Sequence, residues 1–238
     1  MNPRVLVIIP AFNESGAIIN ITREVIACGV QADVLVIDDG SVDDTAARAK
    51  SAGALVVRLP FNLGIGGAVQ AGYRYAKANG YDIAVQVDGD GQHDPAYLKH
   101  VILPVLAGSA DMAIGSRFID GKSGFRSSAI RRVGIRFFSF LIRLLSGVNV
   151  TDPTSGFRAC GRRLIDVFAA YYPQDYPEPE AVVVARRLHC RVTEVSVVMR
   201  ARTSGASSIS FVKSFYYMIK VSSAILLHTL KDRKVYQP

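Results

Sequence analysis

Apolar residues in the first half of the chain fall into short continuous runs that alternate with segments of helical period. The strand-like runs are residues 5–9, 33–37, 54–59, 83–87 and 112–114. The helical segments between them are residues 17–28, 45–51, 67–79 and 95–106. Near-continuous apolar strands separated by helices predict an α/β fold with a mostly parallel sheet that is flanked by helices on both faces. In such folds, ligands bind beyond the carboxyl ends of the strands.

The pattern changes after the fifth strand-like run. Residues 125–145 interleave arginines with phenylalanines and leucines, residues 152–158 are rich in turn formers, and residues 190–199 predict another strand. Residues 211–230 predict an apolar helix that is interrupted by two lysines and followed by basic residues. We therefore predict two units, a main domain and a C-terminal amphipathic helix with a basic tail. Their bounds are residues 1–208 and residues 209–238.

Composition narrows the choice of partner and compartment. Half of the 238 residues are hydrophobic, and the formal net charge is +8. Such a charge is typical of proteins that bind nucleic acid or handle phosphates at an anionic membrane surface. No recognised nucleic-acid motif accompanies it, so we expect no nucleic-acid partner. Scattered cysteines, no signal peptide and no apolar run long enough to span a bilayer predict a cytoplasmic protein, peripherally associated with the membrane.

The sharpest chemical signal is Asp88-Gly89-Asp90-Gly91-Gln92, directly after the fourth strand-like run. Two carboxylates so close together are costly unless a cation or solvent compensates their charge. Hard oxygen donors favour Mg²⁺ or Mn²⁺ together with diphosphate oxygens, whereas Zn²⁺ prefers His or Cys. We predict a metal site at Asp88, Asp90 and Gln92; the alternative is a solvated surface turn. We interpret the adjacent His93 as a capping or packing residue.

Two earlier strand ends carry polar residues suited to a nucleotide. Residues 10–14 (Pro-Ala-Phe-Asn-Glu) follow the first strand-like run, and residues 38–41 (Asp-Asp-Gly-Ser) follow the second. Their side chains can contact a base or a ribose, but both segments can also be ordinary loops and helix caps. The glycine-rich residues 62–67 lack the spacing of a dinucleotide fingerprint. They predict a close strand-to-helix turn, with a phosphate cradle as the alternative.

Arginines follow the acidic motif at Arg117, Arg131 and Arg132. Guanidinium groups bind phosphate bidentately, so these residues are candidates to receive an anionic acceptor. The alternative is a solvated basic helix face. The interleaved aromatic residues and leucines favour a membrane-interface helix with snorkelling arginines.

Together these motifs resemble the family 2 glycosyltransferases of the GT-A fold, in particular the polyprenyl-phosphate hexosyltransferases typified by dolichyl-phosphate mannose synthase. The matching motifs occur in family order along most of the chain. They are residues 10–14, 38–41, 62–64, 88–93, 115–117 and 152–158. The resemblance implies a Rossmann-like GT-A domain followed by C-terminal amphipathic helices.

The resemblance also implies a role for each candidate residue. The nucleotide contacts would be Pro10, Ala11, Asn13, Glu14 and Asp39. The diphosphate and metal site would comprise Asp88, Gly89, Asp90 and Gln92, with Arg202 as a further donor-diphosphate contact. The acceptor-phosphate clamp would be Arg117 and Arg131, with Arg132 beside them. Asp90, Arg117 and Arg131 are therefore the candidate catalytic residues.

Three features depart from the family pattern. Ser208 stands where members often carry Lys, and Ile135 replaces an acceptor-side Ser. The sequence also predicts none of the transmembrane helices in which many members end. The expected activity is inverting transfer of a hexose from a GDP- or UDP-hexose to a polyprenyl phosphate at the cytoplasmic membrane face, in cell envelope glycan synthesis.

Two other functions stay open. A related enzyme of the same fold would act on a saccharide hydroxyl and would need a general base, for which Asp152, Glu178 and Glu180 are candidates. A remote alternative is a non-catalytic basic module that binds membranes or nucleic acid. The terminal helix is expected to contact either the membrane surface or a membrane-embedded partner subunit.

Overall fold

The computed structural model describes residues 3–119, 129–174, 177–200, 211–230 and 236. The strands β1 to β7 are Val5–Ala11, Asp33–Asp38, Leu55–Arg58, Ile83–Gln86, Met112–Ser116, Arg158–Gly161 and Val192–Ser196. The helices α1 to α8 are Ile18–Ala27, Thr45–Ser51, Gly64–Ala78, Leu98–Leu106, Ala129–Ser146, Arg162–Ala170, Pro177–Arg187 and Phe211–Leu230. One turn of 3-10 helix, Pro95–Tyr97, precedes α4.

In the described part of the chain, the strands form one seven-stranded sheet in the order β3-β2-β1-β4-β6-β5-β7. All strands run in the same direction except β6, which is antiparallel to both β4 and β5. The predicted α/β fold with a mostly parallel sheet is thus confirmed. The strand order reverses at the β1–β4 pair, and this reversal opens a crevice at the carboxyl edge of the sheet.

The central strand β1 shows why the strands appear as continuous apolar runs. Leu6 and Ile8 face one hydrophobic core, whereas Val7 and Ile9 face a second core on the opposite side of the sheet. All four side chains are fully buried. A strand that is covered on both faces has no solvent side, so its sequence loses the alternation of a half-exposed strand.

The sequence did not predict β6, α6 or α7. Strand β6 has only four residues, and α7 starts in a segment whose proline and tyrosine content argues against a helix. The structure places Pro177 in the first turn of α7, followed by Glu178 and Glu180. Proline is tolerated there because the first helical N–H groups need no partner within the helix, and acidic residues interact favourably with the helix dipole.

The C-terminal helix α8 has the predicted bounds and packs against α5 and α7. Val221 and Ile225 are fully buried in the same core as Phe138 and Ile142 of α5. The division of the chain at residue 208 stays a prediction. No helix within the described residues has the length and apolar character that crossing a membrane requires.

Candidate active site

Three strand ends converge on one cavity of about 360 Å³. Strands β2, β1 and β4 are parallel neighbours, so the polar residues that follow them meet at one edge of the sheet. Of the candidate donor-binding residues, seven line this cavity: Pro10, Ala11, Glu14, Asp39, Asp88, Gly89 and Asp90. The structure therefore brings together motifs that lie far apart in the sequence.

Asp39 joins the end of β2 to the start of α3. Its carboxylate accepts hydrogen bonds from the backbone N–H groups of Leu63 at 2.7 Å and Gly64 at 2.9 Å. Burial raises the pKa of this carboxyl, although the two hydrogen bonds oppose the shift. Asp39 thus fixes the first turn of α3 at the wall of the cavity.

The glycine-rich segment before α3 forms a close turn. The backbone N–H of Gly66 donates to the Gln174 carbonyl oxygen at 3.1 Å. A Cβ atom on Gly66 would lie only 2.2 Å from that oxygen. Close packing against Gln174 therefore explains why residue 66 has no side chain. This favours the interpretation of the segment as a strand-to-helix turn over its interpretation as a phosphate cradle.

Asn13 lies outside the cavity lining and connects the first two motifs. Its backbone N–H donates to Ser41 Oγ at 2.9 Å, and its Oδ1 accepts from the Val42 N–H at 3.0 Å. The backbone adopts a φ of 54°, a left-handed conformation that asparagine tolerates better than most residues. The contact of Asn13 with a nucleotide stays a prediction.

Asp43 strengthens the same connection. It accepts hydrogen bonds from the backbone N–H groups of Ser15 and Thr45 and from the Thr45 hydroxyl. Burial works against the ionised form, but the hydrogen bonds from Thr45 and Ser15 prevail and lower the pKa of Asp43 to about 2.

His93 positions Asp88. The Asp88 backbone N–H donates to His93 Nδ1 at 2.9 Å, and His93 Nε2 lies 3.5 Å from Asp88 Oδ2. Because Nδ1 accepts, the neutral ring carries its proton on Nε2. The buried ring also stacks on Phe157, with 5.0 Å between the ring centroids. Burial, ring stacking and the hydrogen bond to the Asp88 backbone are the features of a capping and packing residue.

The donor atoms of the acidic loop fit a hard divalent cation. Asp88 and Asp90 line the same cavity, and Asp90 Oδ1 also accepts from the Gln92 N–H at 3.0 Å. The side chain of Gln92 is not among those lining the cavity. Within the described residues, no group of three His, Cys, Asp or Glu side chains is arranged to hold a metal. A cation bound by two carboxylates would take its remaining ligands from a donor diphosphate and water, as Mg²⁺ does.

The loop before β6 lies directly against Asp88. Strand β6 pairs with β4 in the register Gln86↔Arg158, which brings Gly156 next to the acidic loop. A Cβ atom on Gly156 would lie 2.8 Å from Asp88 Oδ1 and 2.8 Å from Gln86 Nε2. This proximity could not be predicted from the sequence, because the antiparallel strand β6 was not predicted.

Glu178 is a further charged residue of the cavity, and the charge of Arg158 acts on it. The guanidinium of Arg158 is fully buried and donates to the backbone carbonyls of Ser155 and Glu178. Glu178 lines the cavity from the first turn of α7. Burial raises the pKa of Glu178 to about 7, Arg158 opposes the shift, and the nearby charge of Asp88 adds to it.

The two other candidate bases lie elsewhere. Glu180 lines a separate cavity of about 420 Å³ beside α3 and α8. Asp152 is fully buried and pairs with Arg117, at 2.6 Å from Oδ2 to Nε and 2.7 Å from Oδ1 to Nη2. Of the three carboxylates, Glu178 is therefore the one that lines the same cavity as Asp88 and Asp90.

The candidate acceptor clamp is only partly described. The guanidinium of Arg117 is buried in its bidentate pair with Asp152, so it is engaged within the protein. Arg132 is exposed on α5, near the helix start. The side chain of Arg131 and the whole of Arg202 lie outside the described residues. The roles of these four arginines stay predictions.

Comparison with known proteins identifies the family. The family model described as glycosyl transferase family 2 matches residues 6–168, which is more than half of the chain. The chain belongs to glycosyl transferase family 2. This glycosyltransferase is 32% identical over 215 residues to an undecaprenyl-phosphate mannosyltransferase of Micrococcus luteus, covering 87% of the chain and 88% of that protein. It is 35% identical over 169 residues to a polyprenol monophosphomannose synthase of Mycolicibacterium smegmatis, covering 68% and 63%.

Solved structures confirm the GT-A fold of this glycosyltransferase. Glucosyl-3-phosphoglycerate synthase from Mycobacterium tuberculosis, crystallised with Mn²⁺, UDP-glucose and phosphoglyceric acid, superimposes with a TM-score of 0.74. The match covers 97% of this chain and 81% of the synthase, at 22% sequence identity. At that identity the likeness concerns the fold alone.

Proposed function

We propose that this family 2 glycosyltransferase transfers a hexose, with inversion, from a GDP- or UDP-hexose to a polyprenyl phosphate. The observation that carries the proposal is the cavity at the strand-order reversal, which Asp88 and Asp90 line together with the candidate nucleotide contacts. Two relatives support the acceptor class, because their names describe transfer to undecaprenyl phosphate and synthesis of a polyprenol phosphomannose.

Different residues of the cavity would contact different parts of the donor. Pro10, Ala11, Glu14 and Asp39 would contact the base and ribose at the ends of β1 and β2. Asp88 and Asp90, with Gln92 as a further candidate, would hold Mg²⁺ or Mn²⁺ beside the diphosphate. When bound, the cation would neutralise the negative charge of the leaving diphosphate. His93 would keep Asp88 oriented through contacts that exist without the donor.

A phosphate acceptor needs no general base from the protein. A phosphate monoester has a second pKa of about 6, so it is already a nucleophilic dianion near neutral pH. Arg131 and Arg132, in and just after the first turn of α5, would hold this dianion in line with the anomeric carbon. Arg117 would act by fixing Asp152 and the loop that leads to Gly156. Arg202 would be a further contact to the donor diphosphate, as the family resemblance implies.

One observation favours a second candidate function, transfer to a saccharide hydroxyl. Such an acceptor must lose a proton, and Glu178 lies at the donor cavity with a pKa of about 7. A general base works best when its pKa is close to the operating pH. In the phosphate reaction, by contrast, an ionised Glu178 would repel the acceptor.

A donor and acceptor screen tests the proposed reaction. The purified chain is incubated with GDP- and UDP-hexoses and a short polyprenyl phosphate, with Mg²⁺, with Mn²⁺ or with EDTA. We expect a product heavier by one hexose by mass spectrometry, only with metal, and its loss in Asp88→Asn and Asp90→Asn. Product from a saccharide acceptor but not from the polyprenyl phosphate would contradict the proposal and support the second candidate.

The pH profile separates the two reactions by a different route. Transfer to a phosphate should rise through a pKa of about 6, that of the acceptor itself, and the rise should persist in Glu178→Gln. Transfer to a hydroxyl should rise through a pKa of about 7 and should collapse in the same variant. The matched control is Glu180→Gln, because Glu180 lines a different cavity.

We further propose that the enzyme works at the cytoplasmic face of a membrane, as a peripheral protein. The proposed lipid acceptor requires this setting. The sequence left two ways of attachment open, direct contact with the bilayer and contact with a membrane-embedded partner subunit.

A further inference from the structure

Helix α5 is apolar on two opposite sides. Ile135, Phe138 and Ile142 are buried against the body of the protein. A second stripe faces outward, and its members are separated by four, three and four positions, so they share one side of the helix. Their exposed fractions are 64% for Val133, 39% for Phe137, 63% for Phe140 and 67% for Leu144. A helix at the edge of a water-soluble domain needs only the inner stripe.

Helix α8 adds exposed apolar side chains beside α5. The two helices pack against each other, and α8 turns Val221 and Ile225 into the core. Away from that core it exposes Ile219 by 53%, Leu226 by 48% and Leu227 by 57%. We call these three residues and the outward stripe of α5 the outer apolar face. Large contiguous apolar surface on a soluble protein marks a site of interaction.

The charged residues of α5 and α8 are all basic. Arg132, Arg136 and Arg143 are exposed between the apolar residues of α5. Neither α5 nor α8 contains an aspartate or glutamate. Among the described residues, no acidic side chain forms an ion pair with any of the three arginines.

This combination distinguishes lipid from protein as the occupant. The buried centre of a protein–protein interface is depleted of charge, and interleaved arginines would have to be desolvated there. At a bilayer surface the same arginines extend to the lipid phosphates, while the aromatic and aliphatic side chains enter the acyl boundary. Anionic lipids complement a face that carries arginines and no carboxylates.

We propose that the outer apolar face docks directly on an anionic lipid bilayer. The inference deepens the proposed function and rests on it in one respect, the lipid nature of the acceptor. Arg131 lies in the first turn of α5. A docked α5 therefore brings Arg131 and Arg132 to the level of the lipid phosphates, where a polyprenyl phosphate presents its reactive group.

The test is vesicle flotation of the full chain without any polyprenyl phosphate. Vesicles of phosphatidylcholine alone are compared with vesicles that also contain phosphatidylglycerol. We expect flotation with the anionic vesicles, and a partition coefficient lowered by about tenfold or more in Phe140→Ser/Leu144→Ser. In Arg136→Gln/Arg143→Gln, the preference for phosphatidylglycerol should fall by about fivefold for each arginine removed.

A matched control comes from α4, where Leu103 is 54% exposed and Leu106 is 50% exposed. Leu103→Ser/Leu106→Ser removes similar apolar surface away from the outer apolar face, so its partition should equal that of the unaltered chain. All variants should keep the melting temperature of the unaltered chain, because each altered side chain is exposed. Equal flotation of the α5 and α4 variants, or no flotation of the unaltered chain, would overturn the proposal.

Two further readouts separate this inference from its rivals. If size-exclusion chromatography shows a dimer that Phe140→Ser/Leu144→Ser dissociates, a second copy covers the face and the proposal fails. Transfer to a short, water-soluble polyprenyl phosphate without vesicles should be unchanged in that variant. Absence of this transfer in the unaltered chain would refute the proposed reaction, whereas the flotation result would stand on its own.

Discussion

At the scale of single residues, the acidic loop is held by contacts that leave little room for change. Asp88 accepts a hydrogen bond from Gln86, donates its backbone N–H to His93, and has Gly156 against its carboxylate. The position of Asp88 is thus set before any donor binds. A catalytic site gains from such preorganisation, because no reorganisation is needed when charge develops on the leaving group.

Gly156→Ala should weaken donor binding with little effect on folding. The new Cβ atom would displace the ends of the Asp88 and Gln86 side chains, which can move without a backbone shift. We expect a free energy of unfolding lower by about 1 kcal/mol. By titration calorimetry, the affinity for a nucleoside diphosphate with Mn²⁺ should fall by about tenfold, the effect of a displaced ligand or its support.

Gly16→Ala is the control for this experiment, since a Cβ atom there meets no atom within 4 Å. It should keep both stability and affinity. If Gly156→Ala bound donor and metal as tightly as Gly16→Ala, the position assigned to Asp88 would be wrong.

Arg117→Ala should act first on stability. Its removal leaves the fully buried Asp152 carboxylate without its bidentate partner. Breaking a buried ion pair in this way lowers the free energy of unfolding by about 3–5 kcal/mol. Arg162→Ala, which breaks an ion pair whose arginine side chain is 58% exposed, should cost about 1 kcal/mol or less in the same urea titration.

A different outcome would restore the acceptor-clamp role of Arg117. If Arg117→Ala unfolded at the same urea concentration as the unaltered chain and yet lost transfer, the guanidinium would act on the substrate and not on the loop.

At the scale of secondary-structure elements, short and antiparallel pieces shape the site. Strand β6 is inserted between β4 and β5 and carries the loop with Gly156 to the acidic motif. Helix α7 then brings Glu178 to the same cavity. The parallel strands position the acidic motifs, and β6 and α7 add Gly156 and Glu178 beside them.

Ile225→Ala tests whether α8 belongs to the main core. The side chain is fully buried in the core that includes α5 and α7 residues. Its truncation should lower the free energy of unfolding by about 2–5 kcal/mol in urea. Leu227→Ala, on the exposed side of the same helix, should change it by about 0.5 kcal/mol or less. Equal, small effects would instead support a separate unit formed by residues 209–238.

At the scale of the whole molecule, charge is distributed unevenly. The chain carries a formal charge of +8, yet the cavity at the ends of β1, β2 and β4 is lined by five carboxylates. They are Glu14, Asp39, Asp88, Asp90 and Glu178. The basic outer apolar face and the acidic cavity therefore suit different partners, an anionic membrane and a metal-bound nucleotide.

Glu178 should make the metal-free protein less stable as the pH rises. Burial raises the pKa of Glu178 from its ordinary value of 4.5 to about 7, so between these values the folded state binds more protons than the unfolded state. The free energy of unfolding should fall through this range, by about 3 kcal/mol at pH 8 relative to pH 4.5. The check is a series of urea titrations in EDTA, with Glu178→Gln beside the unaltered chain.

The glutamine variant should lack this component, since it has no proton to lose. A difference between the two proteins that stayed constant from pH 4.5 to pH 8 would show that burial does not hold the proton on Glu178.

The sequence alone determined the parallel-strand frame of this protein and the position of the acidic motifs that line the cavity. Buried parallel strands are continuous apolar runs, and the acidic motifs follow them within a few residues, so both signals are local. The identity of the helix Phe211–Leu230 was equally local, because its residues share one pattern. These features need no knowledge of which segments meet.

Only the tertiary structure decided how distant segments complete the site. Arg117 and Asp152 are 35 positions apart, and each looked available for chemistry until their pairing was seen. Glu178 gained its raised pKa, and Gly156 its place against Asp88, from an antiparallel strand and a helix that the sequence did not predict. Pairing and burial depend on contacts between residues far apart in the chain. A local sequence pattern does not predict such contacts.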